Sequence, residues 1–74
     1  VKLEVGVHTD NQGRAVNNQT VSQLRAQVIV NYLVNRGINS ARLTPAGYGQ
    51  TRPVAANTYP TERRLNRRIE FVIL

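Results

Sequence analysis

The sequence has no cysteine, methionine or tryptophan, and its single histidine is His8. Without thiols there is neither a disulfide framework nor a thiolate zinc site, and one imidazole cannot build a metal centre without carboxylate help. No cofactor is expected. No apolar run approaches the roughly 20 residues of a membrane helix, and no basic segment followed by an apolar stretch opens the chain as a secretion signal would. Acidic residues are scarce: four Asp and Glu stand against ten Lys and Arg, a formal net charge of +6. Lys2 is the only lysine, so the excess is almost all arginine. A guanidinium binds carboxylate or phosphate through two parallel hydrogen bonds, so this bias favours an anionic partner: nucleic acid, an acidic membrane surface or a polyanionic polymer.

The 74 residues, 41% of them hydrophobic, allow one small domain. Such a chain buries only about 60% of the surface its unfolded form exposes, so the core must be compact. Val1, Leu3, Val5 and Val7 alternate with Lys2, Glu4 and Gly6, the period of a half-buried strand. Turn formers follow from His8 to Arg14, with Gly13 free to take positive φ and Asp10 or Asn11 able to bond nearby amides. From about Asn17 to Arg36, Val21, Leu24, Val28 and Tyr32 or Leu33 recur at helical spacing with no Gly or Pro among them, predicting one long helix. Asn17, Asn18 or a Thr20–Gln23 capping box could start it, and Gly37 ends it in a left-handed cap. Arg42–Tyr48 reads as a second strand, at an edge because Pro45 cannot donate to a ladder. A Gly- and Pro-punctuated loop runs to about Glu62, and Arg67–Leu74 resumes strand patterning with Ile69, Phe71 and Ile73 on one face. The expected fold is α+β: one long helix on a small mixed sheet, in two layers.

Two constellations carry chemistry. On a helix, Asn18, Ser22 and Arg25 share one stripe about 10 Å long, and the loop after the first strand can bring Asp10 toward it. A carboxylate and a guanidinium flanking one cleft suit a zwitterion such as an α-amino acid end. The plainer reading makes Asp10 a turn residue and Arg25 a solvated charge. The second constellation is Arg63, Arg64, Arg67 and Arg68, which in a nucleic-acid binder would neutralise phosphates. No helix-turn-helix, zinc pattern or stacking platform accompanies it, and strand alternation would send Arg67 and Arg68 to opposite faces, leaving one to line a cleft.

The order of blocks is distinctive: His8-Thr9-Asp10-x-x-Gly13, Asn18-x-x-Val21-Ser22-x-x-Arg25-Ala26, Gly37-Ile38-x-x-x-Arg42-Leu43, Gly47-Tyr48-Gly49, Pro53-x-x-x-Asn57 and Arg63-x-x-Asn66-Arg67-Arg68-Ile69-Glu70. Spanning residues 2 to 73, it resembles an OmpA-like peptidoglycan-binding domain, as found in outer-membrane porin-like proteins, peptidoglycan-associated lipoproteins and flagellar stator proteins. The resemblance implies noncovalent binding of the cell-wall peptide stem, typically at meso-diaminopimelate, with Asp10 and Arg25 at the positions that hold its amino-acid end. Thr9, Asn18 and Arg68 match positions near the ligand, while each also has a structural role open to it in turn, cap or strand. It further implies a periplasmic setting, a membrane-associated Gram-negative parent, a second copy as a candidate partner, no nucleic acid, and a family strand and helix ahead of residue 1 that the chain lacks.

The chain departs from the family at Val7 and Glu62, where glycine is usual, and at Gln50, where glutamate is common. Glu62 puts the shape of the last loop in question if that backbone needs glycine. Catalysis is not expected, because neither Ser22 nor Ser40 lies in a nucleophile-elbow context for His8 to activate. Calcium is not expected either, since Thr20 and Val21 stand where a calcium loop starting at Asp10 would place its bidentate glutamate. A basic nucleic-acid-binding fragment and an oligomerisation scaffold stand as the alternatives.

Overall fold

The computed structural model describes residues 1–74. In chain order the elements are β1 (Leu3–His8), α1 (Ala15–Asn35), a single 3-10 turn (Ser40–Arg42), β2 (Leu43–Gly49), α2 (Pro60–Asn66) and β3 (Arg68–Ile73). β1 is the central strand, parallel to β2 and antiparallel to β3. The sheet is mixed and the fold two-layered, as the patterning predicts. Pro45 falls on an edge strand, the place where a residue without an N–H does least harm.

The long helix starts two residues before its expected position. Arg14 is its N-cap and offers no side-chain bond, so Asn17 and Asn18 lie inside the helix. No capping box forms at Thr20 and Gln23. The Thr20 hydroxyl donates to the Val16 carbonyl, and the Gln23 amide crosses to β2, donating to Pro45 O and accepting from Gly47 N. The other end follows expectation. Gly37 takes φ 104°, its N–H donates to Val34 O, and the Ile38 N–H donates to Leu33 O, which satisfies two terminal carbonyls.

Helical spacing located α1 correctly and named the wrong face. Val21, Leu24, Val28 and Tyr32 are exposed, while the buried stripe is Ser22, Ala26 and Val30. The reason lies in β2. A β-carbon on Gly47 would sit 2.3 Å from the Gln23 nitrogen, so helix and strand meet backbone to backbone and only small helix residues fit beneath. Farther down, Val30 packs with Val5 and Leu43, joined by partly buried Leu3, Ile29, Leu33 and Val34. Fully burying each such side chain contributes about 1.5–3 kcal/mol. This core is small because α1 lies over β2 and β1 and leaves β3 largely uncovered. Ile69, Phe71 and Ile73 do share one face, in register with Val7, Val5 and Leu3, yet all three are exposed.

The segment read as a loop to Glu62 contains α2. Pro60 occupies its first turn, where a missing N–H is harmless, and the Glu62 carboxylate accepts the Tyr59 N–H at 3.2 Å. No non-glycine residue has positive φ, so glutamate at position 62 is unstrained and the doubt over that loop is removed. β3 accordingly begins at Arg68, and Arg67 caps α2.

Candidate functional site

The β1 exit builds the site. Thr9 donates its N–H to Gly49 O at 2.8 Å and its hydroxyl to the Asp10 carbonyl at 2.8 Å. Asp10 Oδ1 accepts the Gln12 N–H at 3.0 Å, the self-made turn expected of an aspartate here, and Gly13 turns the chain at φ 81°. Asn18 reaches back from α1, its Nδ2 facing Gln12 O and Gln50 Oε1 at 3.0 Å each and Asp10 O at 3.4 Å. It therefore ties the Asp10 turn both to the helix and to the segment after β2.

These contacts leave Asp10 only 7% exposed. Its free oxygen, Oδ2, lies 3.6 Å from Arg67 Nη1 on a half-exposed side chain. Arg67 in turn borders a groove of about 540 Å³ between α1 and β3, walled by Val21, Leu24, Val28 and Ile69. Arg25 and Arg68 border the same groove. Asp10 and Arg25 form no direct ion pair: Asp10 lies outside the groove lining, and Arg67, which it contacts, borders the groove together with Arg25. Both arginines of the Asn66-Arg67-Arg68 run line the groove because Arg67 lies in a helix cap, where strand alternation does not apply. Only Arg67 touches Asp10.

Arg68 is occupied elsewhere. Its guanidinium donates to Glu70 Oε2 at 2.8 Å, Arg52 O at 2.9 Å and Asn66 O at 3.3 Å, bracing β3 against the preceding loop. Arg63 is similarly spent, donating to the Asn57 and Thr58 carbonyls.

On the open face of the sheet lies a second, polar recess of about 300 Å³. His8 stacks on Tyr48 with ring centroids 5.0 Å apart, and Arg52 lies over Tyr48 at 4.0 Å. Tyr48 donates its hydroxyl to Glu4, and the charged acceptor holds the phenol pKa above its ordinary value, with burial adding to the effect. His8 Nε2 lies 3.2 Å from Glu70, while the buried Nδ1 has no hydrogen-bond partner. Burial pushes the imidazole pKa below its usual 6.5; Arg68 and Arg52 reinforce that, and Glu70 and Glu4 oppose it.

Two residues hold this framework from inside. Ser22, fully buried, donates to Gln19 O and accepts the Gly49 N–H, both at 2.9 Å. Asn66, also fully buried, accepts from Val54 N and Ala55 N at 2.7 and 3.0 Å and donates to Ala55 O and Asn57 Oδ1 at 2.9 Å each. The sequence signal for α2, Pro60 followed by Glu62, would have placed Asn66 and Arg67 at a helix end and pointed to both roles.

Fold and groove together define a small mixed α+β module with an arginine-bordered cleft beside a shielded carboxylate. Residues 1–67 match the OmpA family model, and the chain belongs to the OmpA family. It is similar to outer membrane porin F of Pseudomonas fluorescens, 44% identical over 92% of this chain and 21% of that protein. It is also similar to the peptidoglycan-binding protein ArfA of Mycobacterium tuberculosis, 35% identical over 97% of this chain and 22% of the relative. Among solved structures, the peptidoglycan-associated lipoprotein of Burkholderia pseudomallei superposes with a TM-score of 0.89 at 25% identity, over 96% of this chain and 60% of that one. The chain thus spans about a fifth of these two curated relatives. No helix is long and apolar enough to cross a membrane.

Proposed function

We propose that this chain is a noncovalent peptidoglycan-binding module that anchors a larger envelope protein to the cell wall in the periplasm. The ligand is the diaminopimelate of the peptide stem, with its ammonium directed to Asp10 and its carboxylate to Arg25. One observation carries the reading: a carboxylate that is nearly buried and held by its own turn is joined through Arg67 to a groove bordered by Arg25. Opposite charges on the two sides of Arg67 suit the two poles of an amino-acid end, and the burial of Asp10 gives its carboxylate a worth that an exposed one lacks. Thr9 and Asn18 serve the site by fixing the Asp10 turn, and Arg68 by bracing the groove wall. The relatives' names, porin F, a peptidoglycan-binding protein and a peptidoglycan-associated lipoprotein, support an envelope setting.

Several arginines are engaged within the chain and so less free to track phosphates: Arg36 lies over Tyr32, Arg52 over Tyr48, and Arg63 on loop carbonyls. The test is co-sedimentation with purified sacculi. Arg25→Ala and Asp10→Asn are expected to leave the chain in the supernatant with an unchanged circular dichroism spectrum. Pelleting by both variants at the level of the unsubstituted chain would overturn the assignment, and tight DNA binding indifferent to diaminopimelate would favour the nucleic-acid alternative.

A further inference from the structure

We infer that Arg67 is a displaceable internal cation that makes the site selective for an ammonium bearing a carboxylate on the same carbon over an ammonium alone. This rests on the diaminopimelate reading above and adds a specificity determinant to it.

Asp10 is not an open acceptor. Oδ1 takes the Gln12 N–H, and Oδ2 faces the Arg67 guanidinium. The residue is only 7% exposed and Arg67 is the cation against its Oδ2, so an incoming ammonium competes with Arg67 for that oxygen. Arg67 can yield, since it is half exposed and its contact at 3.6 Å is an ion pair without a close hydrogen bond. Where it moves decides selectivity. On its groove side stand Arg25 and, paired with Glu70, Arg68, so a guanidinium leaving Asp10 for the groove meets the like charge of Arg25.

A ligand that brings its own carboxylate changes that balance. The carboxylate receives Arg25 and the freed Arg67 together, and the departing cation exchanges one anion for another. A ligand with ammonium alone evicts Arg67 and offers nothing in return. Charge counting points the same way: with Arg68 paired to Glu70, Arg25 and Arg67 stand against one shielded carboxylate and favour the more acidic ligand.

The experiment compares two stem tripeptides, L-alanyl-γ-D-glutamyl-meso-diaminopimelate and L-alanyl-γ-D-glutamyl-L-lysine, which differ by the carboxylate beside the terminal ammonium. Each is titrated into the unsubstituted chain, Arg67→Ala, Arg67→Gln and Arg25→Ala and followed by amide NMR spectra, which also report that each variant is folded. Arg67→Ala and Arg67→Gln are expected to bind the lysine peptide more tightly and to lower the diaminopimelate-to-lysine preference by about tenfold. In the unsubstituted chain the Arg67 Nε resonance is expected to shift with the diaminopimelate peptide. If Arg25→Ala abolishes binding while both Arg67 variants keep the original preference within about twofold, Arg67 selectivity is wrong and the diaminopimelate reading stands. If the unsubstituted chain binds neither peptide, both fall.

Discussion

The Ser22 hydroxyl accepts the Gly49 N–H at 2.9 Å, and the Gly49 carbonyl accepts the Thr9 N–H at 2.8 Å. A buried helix side chain is thereby linked through one residue of β2 to the turn that carries Asp10. Ser22→Ala removes the acceptor and leaves a buried N–H unpaired, which costs about 1–3 kcal/mol. The expected result is a lower midpoint in urea with an unchanged m-value, together with faster amide exchange at Thr9 and Gly49.

Asn66 uses all four of its hydrogen-bonding positions on the segment from Val54 to Asn57. Asn66→Ala is expected to destabilise by about 2–4 kcal/mol, since two backbone N–H groups lose their acceptor in a fully buried place. Asn66→Asp preserves size but turns donors into acceptors against Ala55 O and Asn57 Oδ1, so it should not restore the loss. Thermal unfolding followed by circular dichroism distinguishes the three chains.

Gly47 faces α1 so closely that an added methyl would lie 2.3 Å from Gln23 N and 2.7 Å from Ser22 C. These are backbone atoms of a 21-residue helix and cannot rotate aside. Gly47→Ala should therefore cost at least about 2 kcal/mol, toward the upper end of overpacking effects. Gly37→Ala is a contrast, because its β-carbon would meet nothing and the loss comes only from the positive φ. Denaturant midpoints of the two variants should rank in that order.

Acid should weaken the fold through His8. Its folded pKa is depressed, so the unfolded chain takes up the proton first, and stability present above the usual value of 6.5 is lost as pH falls from there through the lower folded value. Below both values this contribution is flat. Arg68 and Arg52 resist the charge, Glu70 and Glu4 favour it, and Nδ1 has no acceptor for a second proton. His8→Gln should flatten the dependence between pH 6.5 and the folded value, measured as the urea midpoint across a pH series.

Much of the fold was legible because local chemistry and tertiary packing agree. Alternation marked β1, an uninterrupted run marked α1, Gly37 marked its end and Pro45 an edge. The wrong face of α1 has a physical origin. Hydrophobicity is a poor guide where two backbones touch, and there Ser22, Ala26, Gly47 and Gly49 are selected by size instead. α2 escaped notice because seven residues with two arginines show no apolar period, leaving Pro60 and Glu62 as its only signals. Of the candidate site, charge and spacing raised Asp10 and Arg25 beside a plainer structural reading, and family resemblance favoured them and added Thr9, Asn18 and Arg68. Arg67 could not be ranked above Arg68 without knowing that α2 ends at Asn66, leaving Arg67 in its cap and Arg68 as the first residue of β3. That boundary decides which guanidinium turns toward Asp10 and which toward Glu70.

His8 borders both hollows, the apolar groove against α1 and the polar recess across the sheet. Because it is the chain's only histidine, its ring protons give an uncrowded signal. An observer watching that one resonance has a two-sided gauge, sensitive to whatever enters beside the helix and to ionic strength acting on the opposite surface.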